Sequence, residues 1–328
     1  MDASFRSAQR CLLEWAPDVP PMAEGASLEA AASALEPPRL VAAPVIEGHG
    51  FRARRVEGEQ EPGFAAFLDG TQRSQVVGFT DGLPIVLGTV AAVVRRRANR
   101  RLYTWGSGPI VRRRIYLPLA YLPEGLAAQY AARGYEVADT TAPDADGAIP
   151  DRHPFSLQER AVHLVQVHRE HAEQGLAERW CAEEGRPLFI DGGVNKSDVV
   201  ARARCAVGVV KSHRTLYVEG DALSRVCRLR RGERSTVFRI PSTRRTPVAS
   251  WYLRLRDATG HDPMWGLVRI EAADHDTGRE TAEQLTERAD RISRWVLAEA
   301  TPLALPDGRW DKMVYGIRDC EEFLRAVC

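Results

Sequence analysis

Long hydrophobic runs are missing from this sequence of 328 residues. A membrane-spanning helix needs about 20 consecutive apolar residues. The longest candidate, LPIVLGTVAAVV at 83–94, is shorter and contains a proline and a glycine. The first residues, MDASFRSAQRCLLEW, lack the basic and then apolar pattern of a signal peptide. We therefore expect no membrane segment and a cytoplasmic location.

Cysteine is sparse, with six residues spread along the chain and no C-x-x-C pair. Disulfide-stabilised domains and structural zinc sites both need cysteines at short, regular spacings. The pattern therefore indicates a reducing compartment and argues against both kinds of crosslink.

Lysine is almost absent, because Lys196, Lys211 and Lys312 are three of the 45 basic residues and the other 42 are arginine. The formal net charge of +1 favours no class of partner. The arginines cluster at 95–101, 112–114, 228–234 and 244–245. Since a guanidinium group binds phosphate through two parallel hydrogen bonds, several such clusters favour a polyanionic partner. For any single cluster, an ordinary solvated surface remains an equal alternative.

The chain divides near residue 45. Residues 1–45 are rich in proline, alanine and glutamate, which is typical of an extension or linker. A short helix at SLEAAASALE, 27–36, and a solvated linker are both open alternatives. The folded domain is expected over 46–328.

The folded part begins with a pattern of strands and then a long helix. Strands are predicted at 63–69, 74–80, 84–94, 101–105 and 110–119, with turns at DGT, TDGLP and GSGP. A helix over about 156–183 follows, with Ser156 and Glu159 as a capping box. The strand PLFID, at 187–191, comes next. This order predicts an α/β protein with an RNase H-like mixed sheet flanked by helices, and with extra β and helical elements.

Two aspartates end apolar strands on either side of that helix. Asp69 closes FAAFLD, and Asp191 closes PLFID. If these strands are parallel neighbours about 4.8 Å apart, both carboxylates lie at one edge of the sheet. Two such charges repel unless a cation lies between them. A hard divalent cation such as Mg²⁺ or Mn²⁺ fits oxygen ligands, and a pair of such ions is common in phosphodiester cleavage. For each site alone, a turn-forming Asp-Gly is the alternative.

A third carboxylate is expected from the long helix. Helical and strand rises place residue 172 or 173 level with Asp191, which favours Glu173. Glu170 is the second choice. Lys211 ends the strand AVGVVK and is expected to hold a phosphate oxygen or orient a water molecule, with a chance surface lysine as the equal alternative. Asp307 or Asp311 is a possible fourth ligand, although a plain turn is favoured there. The three helix histidines, His163, His168 and His171, lack zinc-site spacing and are interpreted as surface residues.

Five segments resemble the NurA family of nucleases, and together they span about 60 to the end of the chain. They are FLDGTQRS, PLFIDGG, AVGVVKSHRTLYV, SWYLRLRD…WGLVRIEAA and LPDGRWDKMVYGIRDCEEFL. The resemblance implies an RNase H-like fold, a homodimer, Mn²⁺- or Mg²⁺-dependent cutting of DNA, and partnership with a HerA-type hexameric ATPase in DNA end processing or defence against phage. It implies metal-binding roles for Asp69 and Asp191, and for Glu173 or Glu170. The sequence departs from the family in DGT, in DGG, and in DKMVY where a late histidine is common.

Two other functions remain open. The chain could be a catalytically inactive NurA-like subunit that binds DNA or an ATPase ring. Alternatively, DGT and DGG are also found in the sugar-kinase and actin class of ATPases, although no third glycine-rich motif follows. If DNA is the partner, the residues expected to contact it are Arg73, Arg112, Arg113, Arg114 and Arg214.

Overall fold

The computed structural model describes residues 3–18, 37–143, 147–240, 245–274, 280–300, 312 and 314–327. The strands are β1 (Arg39–Leu40), β2 (Ala53–Arg55), β3 (Ala66–Thr80), β4 (Leu83–Ala98), β5 (Arg101–Thr104), β6 (Ile110–Leu117), β7 (Glu136–Asp139), β8 (Leu188–Asp191), β9 (Ala206–Val210), β10 (Thr215–Leu216), β11 (Glu233–Ser235), β12 (Phe238–Ile240), β13 (Val248–Arg254) and β14 (Leu267–Ala273). The helices are α1 (Ala3–Trp15), α2 (Leu126–Ala132), α3 (Pro154–Glu183), α4 (Asp198–Arg202), α5 (Gly220–Cys227), α6 (Ala282–Glu299) and α7 (Tyr315–Val327).

One large mixed sheet organises the described residues. Its main path runs β2-β11-β13-β14-β9-β8-β3-β4-β6-β7, with β5 and β12 attached at the sides. Strands β3, β4 and β6 are antiparallel neighbours, whereas β8 is parallel to both β3 and β9. The predicted mixed sheet flanked by helices is confirmed, including the parallel pairing of the first long strand with the strand that follows the long helix.

Alternation of side chains along β3 and β8 separates two hydrophobic layers. Phe67 and Phe189 pack in the layer that α6 and α7 cover. Leu68 and Ile190, one residue further along each strand, pack in the layer that α3 covers. Each residue near the end of β8 can therefore be assigned to one of two faces.

The predicted turn at DGT is wrong. Strand β3 runs unbroken from Ala66 to Thr80, because Asp69, Gly70 and Thr71 all pair with β4. The strands predicted at 63–69 and 74–80 are therefore one element. What ends at Asp69 is the pairing with β8, whose last partners are Leu68 and Ile190. Asp69 consequently lies where one neighbouring strand stops while the other continues.

The capping box predicted for the long helix is also wrong. Helix α3 begins at Pro154, and His153 is the N-cap residue whose side chain accepts a hydrogen bond from the backbone N–H of Phe155. Proline is well suited to the first helical position because its missing N–H needs no partner there. Ser156 therefore lies inside the first turn. A capping box is present instead at α6, between Thr281 and Gln284.

Residues near the N-terminus pack against the sheet. Helix α1 buries Phe5, Ala8, Cys11 and Leu12 in a cluster with residues of β3, β4 and β6 such as Val77. The helix expected at 27–36 lies outside the described residues. The domain boundary at residue 45 stays a prediction, but α1 is not a solvated appendage.

Among the described residues, no helix combines the length and apolarity that a membrane crossing requires.

Candidate metal centre

Asp69 and Asp191 lie side by side where the pairing of β3 with β8 ends. Each follows the last residue that β3 and β8 pair with one another, Leu68 or Ile190. By alternation, both aspartates point to the same face as Phe67 and Phe189. The two acids therefore meet, as predicted, but Asp69 does so from within β3 and only Asp191 ends its strand.

Glu321 of helix α7 completes a group of three carboxylates. One oxygen from each of Asp69, Asp191 and Glu321 can be chosen so that all three lie within 4.8 Å of one another. Helix α7 reaches this position because it packs on β3, where the Cys320 Sγ donates to the Phe67 carbonyl oxygen at 3.5 Å. Glu321 follows Cys320 directly and so reaches past the end of β8.

Sequence reasoning did not find Glu321 as a ligand. The buried residues Gly316, Ile317, Cys320 and Leu324 give α7 a recognisable apolar face. That pattern predicts a packed helix with an acid beside its buried stripe. It does not say which strand the helix covers. The packing of α7 on β3 is what places the Glu321 carboxylate beside the aspartates.

The carboxyl group of Asp69 is strongly perturbed by its surroundings. Its pKa is raised from 3.8 to about 8 by burial, by the neighbouring charge of Asp191 and by that of Glu173. Lys211 and the backbone N–H of Gly70 act in the opposite direction. A raised pKa means that the fold places a carboxyl where its negative charge is poorly compensated. A cation at this position would remove the conflict.

Lys211 contacts Asp191 directly. Its Nζ atom lies 2.8 Å from Oδ2 of Asp191. It follows β9, which pairs with β8 beside the aspartates. The position of Lys211 at a strand end therefore brings its ammonium group into the acidic cluster, where it partly offsets the negative charge.

Glu173 approaches Asp69 from the opposite face of the sheet. Helix α3 covers that face, and the Glu173 carboxylate lies so close to Gly70 that a Cβ atom there would collide with it. Gly70 is therefore required for the close approach of a helix glutamate rather than for a turn. Burial raises the pKa of Glu173, and Arg169 partly opposes this. Arg169 forms an ion pair with Glu173 and donates to Gln72.

Glu173 is thus near Asp69 but is not one of the three clustered carboxylates. Its role as a metal ligand stays a prediction. Glu170 forms an ion pair with Lys196, with 2.6 Å between Nζ and Oε1. Burial acts to raise the pKa of Glu170, but hydrogen bonding and charge from Lys196 outweigh it, so the pKa is lowered. The remaining alternatives, Asp307 and Asp311, lie outside the described residues.

The three carboxylates line a cleft of about 510 Å³, which we call the acid cleft. Arg169, Lys211 and Arg325 also line it. Arg325 is 3.7 Å from Glu321 on the same helix. The acid cleft therefore combines an acidic centre with a cationic rim, a combination suited to an anionic substrate that reacts near a cation.

The predicted arginine contacts divide between the two faces of the sheet. Cross-strand pairing puts Arg73, Thr89 and Arg113 in one row, on the face that carries Asp69. Arg73 is about 13 Å from Asp69 along β3. Arg112 and Arg114 alternate with Arg113 and point to the α3 face, where Arg114 pairs with Glu136.

Arg214 lies next to β10, where its carbonyl oxygen accepts from the N–H of Arg39. His168 differs from the expected surface residue, because its Nδ1 atom is hydrogen-bonded to the Tyr116 hydroxyl at 2.6 Å. His163 and His171 are exposed.

Among solved structures, the chain is similar to the crystal structure of the NurA nuclease from Sulfolobus solfataricus. The sequence identity is 11%, the TM-score is 0.41, and the match covers 87% of this chain and 86% of the other. No protein-family model matches the chain, and no curated protein matches it. These values do not establish family membership, so the function rests on the geometry of the site.

Proposed function

We propose that this protein is a divalent-metal-dependent nuclease that cuts DNA. The observation that supports this is the convergence of oxygens from Asp69, Asp191 and Glu321 within 4.8 Å of one another. Three carboxylates this close repel one another, and a cation between them removes that repulsion. DNA as the substrate is supported by the cationic rim of the acid cleft and by the motif resemblance described above.

The donor set fits Mg²⁺ or Mn²⁺. All three side chains offer carboxylate oxygens, which are the preferred ligands of hard divalent cations. The raised pKa of Asp69 is the other sign of fit, because burial and the neighbouring charges of Asp191 and Glu173 raise it more than Lys211 lowers it. When bound, one or two such ions supply Lewis-acid stabilisation to a phosphoryl group.

The chain's own cations have separate tasks in this proposal. Lys211, held beside Asp191, offers an N–H donor to a phosphate oxygen in the acid cleft. Arg325 on the rim offers a second, bidentate contact. Arg169, which lines the acid cleft, is held in position by its ion pair with Glu173. These contacts orient the phosphodiester and stabilise charge that develops on it.

The proposal also includes assembly. We expect a cytoplasmic homodimer that works with a HerA-type hexameric ATPase in DNA end processing or in defence against phage. The support for these partners is the motif resemblance. Stable co-purification of the two proteins would test the ATPase partnership, and mass measurement in solution would test the dimer.

The decisive experiment combines cleavage and metal binding. Plasmid and end-labelled oligonucleotides are incubated with Mn²⁺, with and without the ATPase, using the wild-type chain and Asp69→Asn. We expect wild-type cutting that Asp69→Asn abolishes, with its circular dichroism spectrum unchanged. Undiminished cutting by the variant would overturn the proposal. Absence of Mn²⁺ binding by calorimetry, together with co-purification, would favour the inactive-subunit alternative.

A further inference from the structure

A second, smaller cavity adjoins the acid cleft on the α3 face of the sheet. We call it the ring pocket, and its volume is about 130 Å³. Its floor consists of aliphatic side chains, namely Leu68, Ala177, Ile190, Val194 and Val200. All five are buried, so the floor is a continuous apolar surface between two strands, α3 and α4.

Each charged side chain that lines the ring pocket has an oppositely charged partner, and the partner of Asp191 is Lys211. Arg169 pairs with Glu173, and Lys196 pairs with Glu170 at 2.6 Å. A phosphate would have to break one of these pairs to bind here. The ring pocket therefore suits an uncharged ligand with a flat apolar face.

Gln174 supplies the recognition group. It lines the ring pocket, is partly exposed, and its amide makes no hydrogen bond to the described residues. A primary amide presents a donor and an acceptor side by side. The edge of a nucleobase offers the same pair in complementary order, which is why glutamine and asparagine recognise bases.

The size of the ring pocket selects among bases. A protein cavity of about 150 Å³ accommodates one benzene ring, so a volume of about 130 Å³ fits a single six-membered ring better than the fused rings of a purine. The ring pocket also shares Arg169, Asp191 and Gly192 with the acid cleft. A nucleotide whose phosphate lies in the acid cleft can thus reach it.

We propose that the ring pocket binds the pyrimidine base of a nucleotide next to the phosphate held in the acid cleft, and that Gln174 hydrogen-bonds the edge of that base. This inference rests on the proposed function. It makes the site selective for single-stranded segments in which a base can leave its stack, at the expense of stacking energy.

The test measures binding without cleavage. Labelled oligothymidylate and oligoadenylate of equal length are titrated with the wild-type protein in EDTA at fixed salt, and fluorescence anisotropy is recorded. We expect tighter binding of oligothymidylate. In Gln174→Ala the preference should fall by about two- to tenfold, which is the range for one neutral hydrogen bond. Gln174→Trp, which fills the ring pocket from its rim, should remove the preference.

The matched controls are Gln158→Ala and Gln158→Trp. Gln158 is also a partly exposed glutamine of α3, and it lies 16 residues before Gln174, or about 24 Å along the helix. Both controls should keep the wild-type preference. Equal affinity of the wild type for the two oligonucleotides, no measurable binding of either, or a preference that survives in both Gln174 variants would overturn the inference.

The outcome is separable from that of the nuclease proposal. Cutting in Mn²⁺ without any pyrimidine preference would overturn the ring-pocket inference and leave the nuclease proposal intact. A Gln174-dependent preference in a protein that never cuts DNA would overturn the nuclease proposal and leave the base-binding role of the ring pocket intact.

Discussion

At the scale of single residues, the site depends on carboxylates that the fold brings together and that Lys211 offsets only in part. The Asp69 side chain is buried, lies beside Asp191 and Glu321, and has Lys211 as a nearby cation. Desolvation penalises an isolated carboxylate strongly. The metal-free protein therefore holds a proton on Asp69 near neutral pH, and it must release that proton when a cation binds.

The pH dependence of stability follows from this carboxyl. Its folded-state pKa of about 8 lies above the ordinary value of 3.8, so its favourable contribution is complete below 3.8 and is lost as the pH rises through about 8. Asp69→Asn removes that loss. In EDTA, the variant should gain stability over the wild type as the pH increases, reaching more than about 1.4 kcal/mol on the alkaline side.

Thermal denaturation across this pH range measures the effect. Asp81→Asn is the control, because Asp81 is exposed in the turn between β3 and β4. The curves of stability against pH for the wild type and for Asp81→Asn should remain parallel. A constant offset between wild type and Asp69→Asn at every pH would contradict the assignment of the titrating group.

The contribution of Glu321 can be isolated by a neighbouring pair of substitutions. Glu321→Gln keeps the side-chain volume but removes a charged ligand, so Mn²⁺ affinity measured by calorimetry should fall by more than about tenfold. Glu322→Gln is the matched control, since Glu322 is exposed and pairs with Arg318 instead. If both variants bind Mn²⁺ equally well, Glu321 is not a ligand.

At the scale of elements, the contact between α3 and β3 explains why a glycine follows Asp69. The helix brings Glu173 onto Gly70, where even a methyl group would collide with the carboxylate. Arg169 of the same helix donates a hydrogen bond to Gln72, two residues after Gly70 on β3. The position of α3 on β3 is thus set by polar contacts beside the acid cleft as well as by apolar packing.

Gly70→Ala should therefore destabilise the protein. Overpacking of this kind costs about 1–3 kcal/mol, and it should also disturb the Glu173–Arg169 pair. A double-mutant cycle with Glu173→Ala should show coupling between the two positions, because removing the carboxylate makes room for the methyl group.

Gly175→Ala provides the contrast for this cycle. Gly175 lies in the same helix with open space around its Cα, so alanine should stabilise the protein by about 0.5–1 kcal/mol. Chemical denaturation gives both values. A Gly70→Ala variant as stable as the wild type, with no coupling to Glu173→Ala, would contradict the predicted overpacking.

At the scale of the whole molecule, the acid cleft joins parts of the chain that are far apart in sequence. Asp69, Asp191, Lys211 and Glu321 come from β3, β8, the end of β9 and α7. No local segment contains the site, so it forms only when the large sheet is assembled and α7 is packed on it. The row of Arg73 and Arg113 extends the same face away from the acids.

This row predicts the salt dependence of DNA binding. If Arg73 contacts a phosphate, Arg73→Ala should weaken binding of all sequences similarly and reduce the slope of log affinity against log salt by about 1. Arg10→Ala is a suitable control, since Arg10 is an exposed residue of α1. Anisotropy titrations at several salt concentrations give the slopes, and identical slopes for Arg73→Ala and the wild type would contradict the contact.

The sequence by itself determined the local patterns and one long-range pairing. Apolar runs ending in an aspartate identified the segments that carry Asp69 and Asp191, and the order of strands and the long helix, typical of an RNase H-like fold, predicted that these segments are parallel neighbours. Period-two alternation then places both acids on one face, because side chains point to opposite sides of a strand in turn. These features follow from short-range chemistry, and for this reason they could be predicted.

Only the tertiary structure decided which helix completes the site and how the residues divide between faces. The apolar stripe of α7 is visible in the sequence, but its partner strand is not, so Glu321 was missed. The sequence Asp-Gly-Thr at 69–71 is typical of a turn, yet pairing with β4 keeps these residues in the strand. In both cases the free energy that selects the structure comes from packing between distant segments, which local propensity does not contain.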